Sequence, residues 1–470
     1  MRKKMVLILG VFVFLGGCTL MPQYTRPEAP IPASWPSGPA YKETPSTQEA
    51  PLGADLQFQE FFADERLQEI IETALNNNRD LRIAVLNVER ARALYGIQRA
   101  ELFPTLNAAG SGGKERVPAD LSSTGRSMTA EQYGANLGIS SWEIDFFGRI
   151  RSLEKQAMEE YLATEQARRS AQILLVSEVA TAYLTLAADR ENFKLAQTTF
   201  ESQKAAYDLI KRRHEVGLSS ELDLKRAQTP VDTARGDIAR FTQLVAQDEN
   251  ALNLLVGSPS PRTSELLPAD LSGVKPAKEI SAGISSEVLL RRPDVLEAEN
   301  LLKAANANIG AARAALFPRI SLTTSVGTAS SELSGLFKSG SGTWSFAPQI
   351  VMPIFDARLW SALDASKAER EIALVQYEKA IQTAFREVAD ALAVQGTVDR
   401  QVSAQQSLVA ASAQTYRLAT SRYAKGIDNY LGVLDAERSL YAAQQGLVAL
   451  HLTKLSSQAR LYAVLGGGGD

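Results

Sequence analysis

The chain has 470 residues, 45% of them hydrophobic and 22% charged, and its net charge is -3. This suits a folded protein long enough for several cores, and the mild acidity argues against nucleic acid as a partner. One cysteine excludes an internal disulfide, and two histidines leave little material for metal chemistry.

The first residues read as an export signal. Arg2, Lys3 and Lys4 form a charged start, Met5 to Leu15 an apolar run, and Leu15-Gly16-Gly17-Cys18 resembles a bacterial lipobox. The alternatives are a plain signal peptide or a short membrane anchor. An anchor needs about 20 apolar residues, and this run is shorter. The chain's single cysteine stands where cleavage and acylation would occur, so residues 1–17 are read as a leader and Cys18 as the lipidation site. No cofactor beyond that covalent lipid, a palmitate-type acyl group, is expected. Thr19 follows, whereas the usual inner-membrane retention residue is Asp, so the outer membrane is favoured. No later stretch reads as a spanning helix, so any further insertion must use β-strands. Residues 18–55, with Pro22, Pro27, Pro30, Pro32 and Pro36, read as an extended tether.

Beyond the tether the chain repeats itself, as segments 56–270 and 271–470. Asp80, Gly96, Arg99, Phe103 and Pro104 recur as Asp294, Gly310, Arg313, Phe317 and Pro318, an offset of 318 − 104 = 214. Further on the offset is 426 − 217 = 209, and it pairs Phe146, Arg149, Tyr207, Arg213, Gly217, Leu222 and Gly257 with Phe355, Arg358, Tyr416, Arg422, Gly426, Leu431 and Gly466. Shared helical composition would not hold Gly, Pro and Arg in register.

In each repeat the order is strand, strand, helical hairpin. Leu106, Ala108 and Gly110 alternate with Thr105, Asn107 and Ser111, and Tyr133, Ala135, Leu137 and Ile139 share one parity. The second copy shows Ile320, Leu322, Thr324 and Val326, then Trp344, Phe346, Ile350 and Met352. The expected strands are about 104–113, 131–147, 318–327 and 343–355, with a parity change near Ser140-Ser141 read as a bulge. Such alternation over about 10 residues is the transmembrane-barrel pattern, though a soluble hairpin with one wet face shows it too. The hairpins are expected at about 149–256 and 357–465. Val179, Leu186, Phe193, Phe200 and Tyr207 fall seven apart, as do Leu224, Val231, Ile238, Val245 and Leu252, which means left-handed coiled-coil packing. Gly217 and Gly426 suit αL turns. Arms of roughly 65 residues would be about 100 Å long, and Pro230 is expected to kink one of them. The fold class is therefore mainly α with membrane β: duplicated coiled-coil hairpins plus four strands. Four strands cannot close a barrel, since the smallest have about eight. If they span lipid, the barrel is shared between chains.

The set Tyr24-Thr25-Arg26-Pro27, Trp142-Glu143-Ile144-Asp145-Phe146-Phe147-Gly148-Arg149, Arg291-Arg292-Pro293-Asp294-Val295 and Leu434-Asp435-Ala436-Glu437-Arg438 resembles the TolC-like outer membrane factors, in their OprM-like lipoprotein branch. The resemblance implies a homotrimer with one twelve-stranded β-barrel, a periplasmic α-barrel and an equatorial belt near 56–76, 257–290 and the C-terminal end. It also implies a periplasmic adaptor and an inner-membrane transporter of the RND type as partners. The function implied is a passive exit duct for drugs and small toxic compounds.

No catalytic set is present, so no enzyme is expected. His214 and His451 have no Cys or His at ligand spacing, so no metal is expected either. Leu431, Asp435 and Arg438 share a helix face at i, i+4 and i+7. From spacing alone, an intrahelical Asp–Arg pair on a wet face accounts for them. With the motif, the resemblance implies a periplasmic gate. The equivalent of Asp435 in the first repeat is Arg226 (435 − 209), an asymmetry that suits a gate where unlike hairpins meet. The turns Val216-Gly217-Leu218-Ser219 and Lys425-Gly426-Ile427-Asp428 are either adaptor-docking tips or plain αα-turns. Two other readings stay open. One is a protein-secretion channel of the same family, although such channels often lack a lipobox. The other is a periplasmic adaptor lipoprotein, against which two hairpins separated by membrane-type strands speak.

Overall fold

The computed structural model describes residues 19–41, 57–257, 265–278 and 285–467. The expected leader, Cys18 and residues 42–55 of the tether lie outside the described residues. The elements in order are α1 Phe58–Phe61, α2 Glu65–Asn77, α3 Arg79–Ala100, β1 Leu106–Val117, β2 Met128–Glu143, α4 Arg149–Glu215, α5 Glu221–Val256, α6 Pro293–Ala314, β3 Arg319–Ser330, β4 Gly342–Val351, α7 Ala357–Ala424 and α8 Tyr430–Val464. The chain divides into two compact units. One comprises residues 1–28, 87–164 and 297–377, and the other 29–86, 165–296 and 378–470.

The first unit holds one antiparallel sheet in the order β1-β2-β3-β4. The register pairs Leu106 with Ile139, Leu137 with Val326 and Val326 with Trp344, so one face collects apolar side chains. The other face collects Asn107, Gly138, Ser325 and Ser345. The apolar face is bare within the chain: Trp344 is 80% exposed. Pairing of β2 with β3 slips between Ile139 and Trp142, which is the bulge expected near Ser140-Ser141. Ser141 sits there at φ 54, and its N–H donates to Thr323 Oγ1 at 3.2 Å. Backbones approach closely across this seam. A Cβ at Gly327 would lie 2.2 Å from the Ala135 carbonyl oxygen.

The two hairpins occupy the expected stretches, but their arms are unequal. α4 and α7 have 67 and 68 residues, whereas α5 and α8 have 36 and 35. The expectation of two arms of about 65 residues is corrected: each returning arm is only about 53 Å long. The physical reason is a splice. α5 ends on Gly257 at φ 71, where a Cβ would meet the Asn77 carbonyl at 2.4 Å. Asn78 then donates from Nδ2 to the Leu255 carbonyl (2.8 Å) and accepts the Leu81 N–H (2.9 Å), so it caps the end of α5 and the start of α3 together. The second repeat does the same with Arg292, the residue equivalent to Asn78 (292 − 214). Arg292 donates to the Val464 carbonyl at 2.6 Å and to Asp294 and Glu387 at 2.7 and 2.9 Å. Helix α5 runs on through Pro230, which is buried.

Helix α4 also corrects the reading that no later stretch is apolar enough to span a membrane. It contains a window that passes by length and composition, but over half of that window is buried inside the chain. Ile173, Val176, Val179, Ala180, Tyr183 and Leu186 belong to the core of the second unit, so this apolarity is explained by packing. The same unit buries the α2 face Leu67, Ile70, Ile71 and Ala74. There Phe61 stacks on Tyr462 at 4.8 Å, so the start and the C-terminal end of the fold meet where the belt was expected. The tether is extended but not free. Ser286 donates to the Pro32 carbonyl (2.7 Å), Trp35 stacks on Phe385 (5.0 Å) and Arg400 donates to the Pro39 carbonyl (2.6 Å).

Candidate functional site

The two hairpin turns are built alike. Gly217 (φ 76) and Gly426 (φ 71) occupy the left-handed conformation that only glycine adopts without cost. The Leu218 N–H reaches the Arg213 carbonyl (2.7 Å) and the Ile427 N–H reaches the Arg422 carbonyl (3.0 Å), which closes each helix end with a six-to-one bond. The entries into the returning helices differ. Ser220 caps α5 by accepting the Asp223 N–H at 3.1 Å. Asn429 makes no side-chain cap, and instead Arg422 grips Asp428, with a second contact at 3.1 Å. That guanidinium holds the Asp428 carboxyl below its usual range. His214 Nδ1 lies 2.9 Å from the Ser219 carbonyl oxygen, so this histidine serves the turn. Val216, Leu218 and Ile427 are 69%, 71% and 58% exposed, with Lys425 exposed beside them and Ser219 half-buried. Three aliphatic side chains at two turn apices make an apolar surface that none of the described residues covers.

Beneath the turns both hairpins share one core. Ile210, Ala227, Tyr430, Val433 and Leu434 are buried together, with Tyr207, Leu224, Tyr416 and Tyr423 packed against them. Arg213 donates to the Tyr423 hydroxyl at 3.2 Å with its guanidinium 5.6 Å from that ring's centroid, and Tyr423 lies 5.1 Å from Tyr430. This packing fixes the rotation of α8 about its axis. Tyr430, Val433, Leu434, Ala436 and Glu437 point inward, which turns Leu431, Asp435 and Arg438 outward onto one exposed face. Among the described residues no ion pair forms between Asp435 and Arg438, so the intrahelical bond that spacing allowed is not made. Arg226, the first repeat's counterpart of Asp435, is exposed as well.

Sequence reasoning missed Glu437. It sits inside the quoted Leu434–Arg438 motif, four residues after Val433, and therefore in the apolar stripe of α8. It is 7% exposed. Burial pushes its carboxyl up to about 7, only partly offset by the hydrogen bond from Gln203 on α4. An acid at a heptad core position was the signal available in the sequence.

Paired long hairpins, a four-stranded open sheet and a duplicated chain define an outer-membrane channel subunit. The chain belongs to the outer membrane efflux protein family, which it matches over residues 70–258 and 284–467. It is the outer-membrane channel component of a tripartite efflux system, whose other members are a periplasmic adaptor and an inner-membrane transporter. It is 50% identical over 474 residues to the toluene efflux pump outer membrane protein TtgC of Pseudomonas putida, covering 99% of this chain and 96% of that one. The antibiotic efflux pump outer membrane protein ArpC of the same species matches with the same identity and coverage. The crystal structure of the open state of the MtrE outer membrane channel of Neisseria gonorrhoeae has a TM-score of 0.85 to this fold. It is 38% identical, covering 96% of this chain and 98% of that one.

Proposed function

We propose that three copies of the chain close one barrel, each anchored by lipid on Cys18, and that the duct so formed is a passive exit for drugs and other small toxic compounds. The observation that carries this reading is the sheet. Among the described residues nothing covers its apolar face, and β1 and β4 each leave one edge unpaired. Unpaired strand edges are not tolerated in lipid, so other copies must supply the partners. The duct serves an RND-type transporter through an adaptor that docks on the aliphatic turn apices, Val216 to Ser219 and Lys425 to Asp428. Equal identity to one relative named for toluene and another named for an antibiotic argues that the cargo is chosen elsewhere in the assembly.

The resting duct is shut at the tip by Leu431 as an apolar constriction, with Asp435 and Arg438 tied to neighbouring chains. Each exposed tie is weak alone. Repeated around three chains, such ties bias a two-state tip by a few kcal/mol, enough to shift its population strongly. Asp435→Ala with Arg438→Ala should raise resting single-channel conductance and sensitivity to large antibiotics at unchanged protein level. A double variant that folds, inserts and conducts no more than wild type refutes the gate.

A further inference from the structure

The segment after Cys18 does not leave the fold as a loose leash. Residues 20–26 lie antiparallel along α6 and meet one stripe of it. Arg313 donates to the Leu20 carbonyl (3.3 Å), and Asn306 donates from Nδ2 to the Pro22 carbonyl (2.9 Å). The Tyr24 hydroxyl donates to Glu299 (3.2 Å), Arg26 forms an ion pair with Glu299, and the Lys303 ammonium lies 5.5 Å from the Tyr24 ring centroid. Between these contacts Met21 crosses Gly310 so closely that a Cβ there would stand 2.8 Å from the Met21 Cα. Positions 299, 303, 306, 310 and 313 are spaced four, three, four, three, which is a single helix stripe.

The clamp is a built one. Glu299 is 4% exposed yet has three donors: Tyr24, Arg26 and Lys303. Burial alone would raise its carboxyl, but the bonds from Arg26 and Lys303 overcome this and hold it below its usual range. The duplication supplies an internal control. The equivalent stripe on α3 is Val85, Glu89, Arg92, Gly96 and Arg99, and all five are exposed, with open space around Gly96. The first repeat keeps the glycine and the last arginine but has Val85 and Arg92 where the second has Glu299 and Asn306, and among the described residues no strap covers it.

The direction of the strap gives it a use. Leu20 is fixed by Arg313 in the last turn of α6, and β3 begins at Arg319. Cys18 is two residues further, at most about 7 Å of extended chain. At this end of the unit Phe147 stacks on Phe317 (4.9 Å) and touches Phe146 (5.2 Å), and beyond β4 Ile354 and Phe355 are 88% and 89% exposed. Exposed aromatic and aliphatic side chains at the foot of membrane strands mark the lipid interface.

We propose that the α6 stripe is a docking track for the chain's own tether, that Glu299 is its positioning residue, and that the docked strap delivers the lipid of Cys18 to the aromatic foot of the sheet. Anchor and sheet then enter the same leaflet, and the lipid guides insertion of its own strands. This rests on the lipid-anchor reading above.

The test uses the full-length protein with the tether-side changes Tyr24→Phe and Arg26→Ala, which leave every residue of the helices in place. Amide exchange over residues 19–28 should rise about tenfold or more, the loss expected when bonds to a charged group are removed. The fraction of newly made chains whose β1–β2 loop, residues 118–127, is cut by protease added outside intact cells should fall several-fold. Arg26→Lys, which keeps the charge, should recover both. Unchanged exchange overturns the proposal, as does raised exchange with surface cleavage at the wild-type level. Mass spectrometry of the mature N-terminus separates the two readings. A wild-type chain with no lipid on Cys18 refutes the anchor itself, whatever the exchange shows.

Discussion

Glu437 offers a direct test of the tip packing. Its carboxyl is buried against Gln203, which pushes it up to about 7 from the ordinary glutamate value of 4.5. A raised folded value means that the neutral acid is the form the fold prefers. The contribution to stability is full below about pH 4.5 and is lost as pH rises through about 7. At 1.36 kcal/mol per pH unit the gap is worth about 3 kcal/mol. Glu437 is 7% exposed, so solvent screening removes little of this. Glu437→Gln keeps the volume and cannot ionise. Amide exchange of α8 around residues 430–440, followed from pH 5 to pH 8 and corrected for intrinsic rates, should show wild-type protection falling as pH rises and the variant flat. Near pH 8 the variant should be the better protected by on the order of a hundredfold. Equal pH profiles for the two proteins would mean that the carboxyl is hydrated, and the buried-acid reasoning would fail.

The splice and the seam give two further expectations. Arg292→Ala removes the cap on the Val464 carbonyl and strands Asp294 and Glu387. It should cost about 2 kcal/mol locally, less than a fully buried pair because both acids reach water, read as faster exchange in the last turn of α8 and the first of α6. Gly327→Ala should force β2 and β3 apart and sharply lower the amount of assembled channel in outer-membrane fractions. Gly110→Ala, where a Cβ meets open space, should leave it unchanged.

Much of this fold was legible in the sequence because its signals are local and periodic. Period-two alternation located all four strands, and the odd residue near Ser140-Ser141 betrayed the bulge. Heptads and two glycines located both hairpins and their turns. The shared face of Leu431, Asp435 and Arg438 followed from helical spacing, but its outward direction and the absence of a bond between Asp435 and Arg438 did not. Spacing says that two side chains can meet, and only the packing of Tyr430, Val433 and Leu434 says where they point. The docked tether was invisible for the same reason. Proline-rich composition reports an extended backbone, while the partner that holds it lies hundreds of residues away.

The length of the hairpin arms was misread for an instructive cause. A heptad count assumes one continuous helix, yet each returning arm stops at a glycine, and a polar side chain at the start of the next helix covers the open carbonyl. Asn78 and Arg292 perform this at equivalent places with different chemistry, an amide in one repeat and a guanidinium in the other. What the two repeats share is therefore the requirement that helix ends be capped at that point, which Gly257 and Gly466 also meet. What they do not share includes single positions that differ in their surroundings. Gly96 looks onto open space where Gly310 carries the strap, Arg226 stands where Asp435 does, and Gln228 is the half-buried counterpart of the buried Glu437. The strands, hairpins and capped helix ends recur in both repeats, while the docked strap and the buried acid each occur in only one of the two copies.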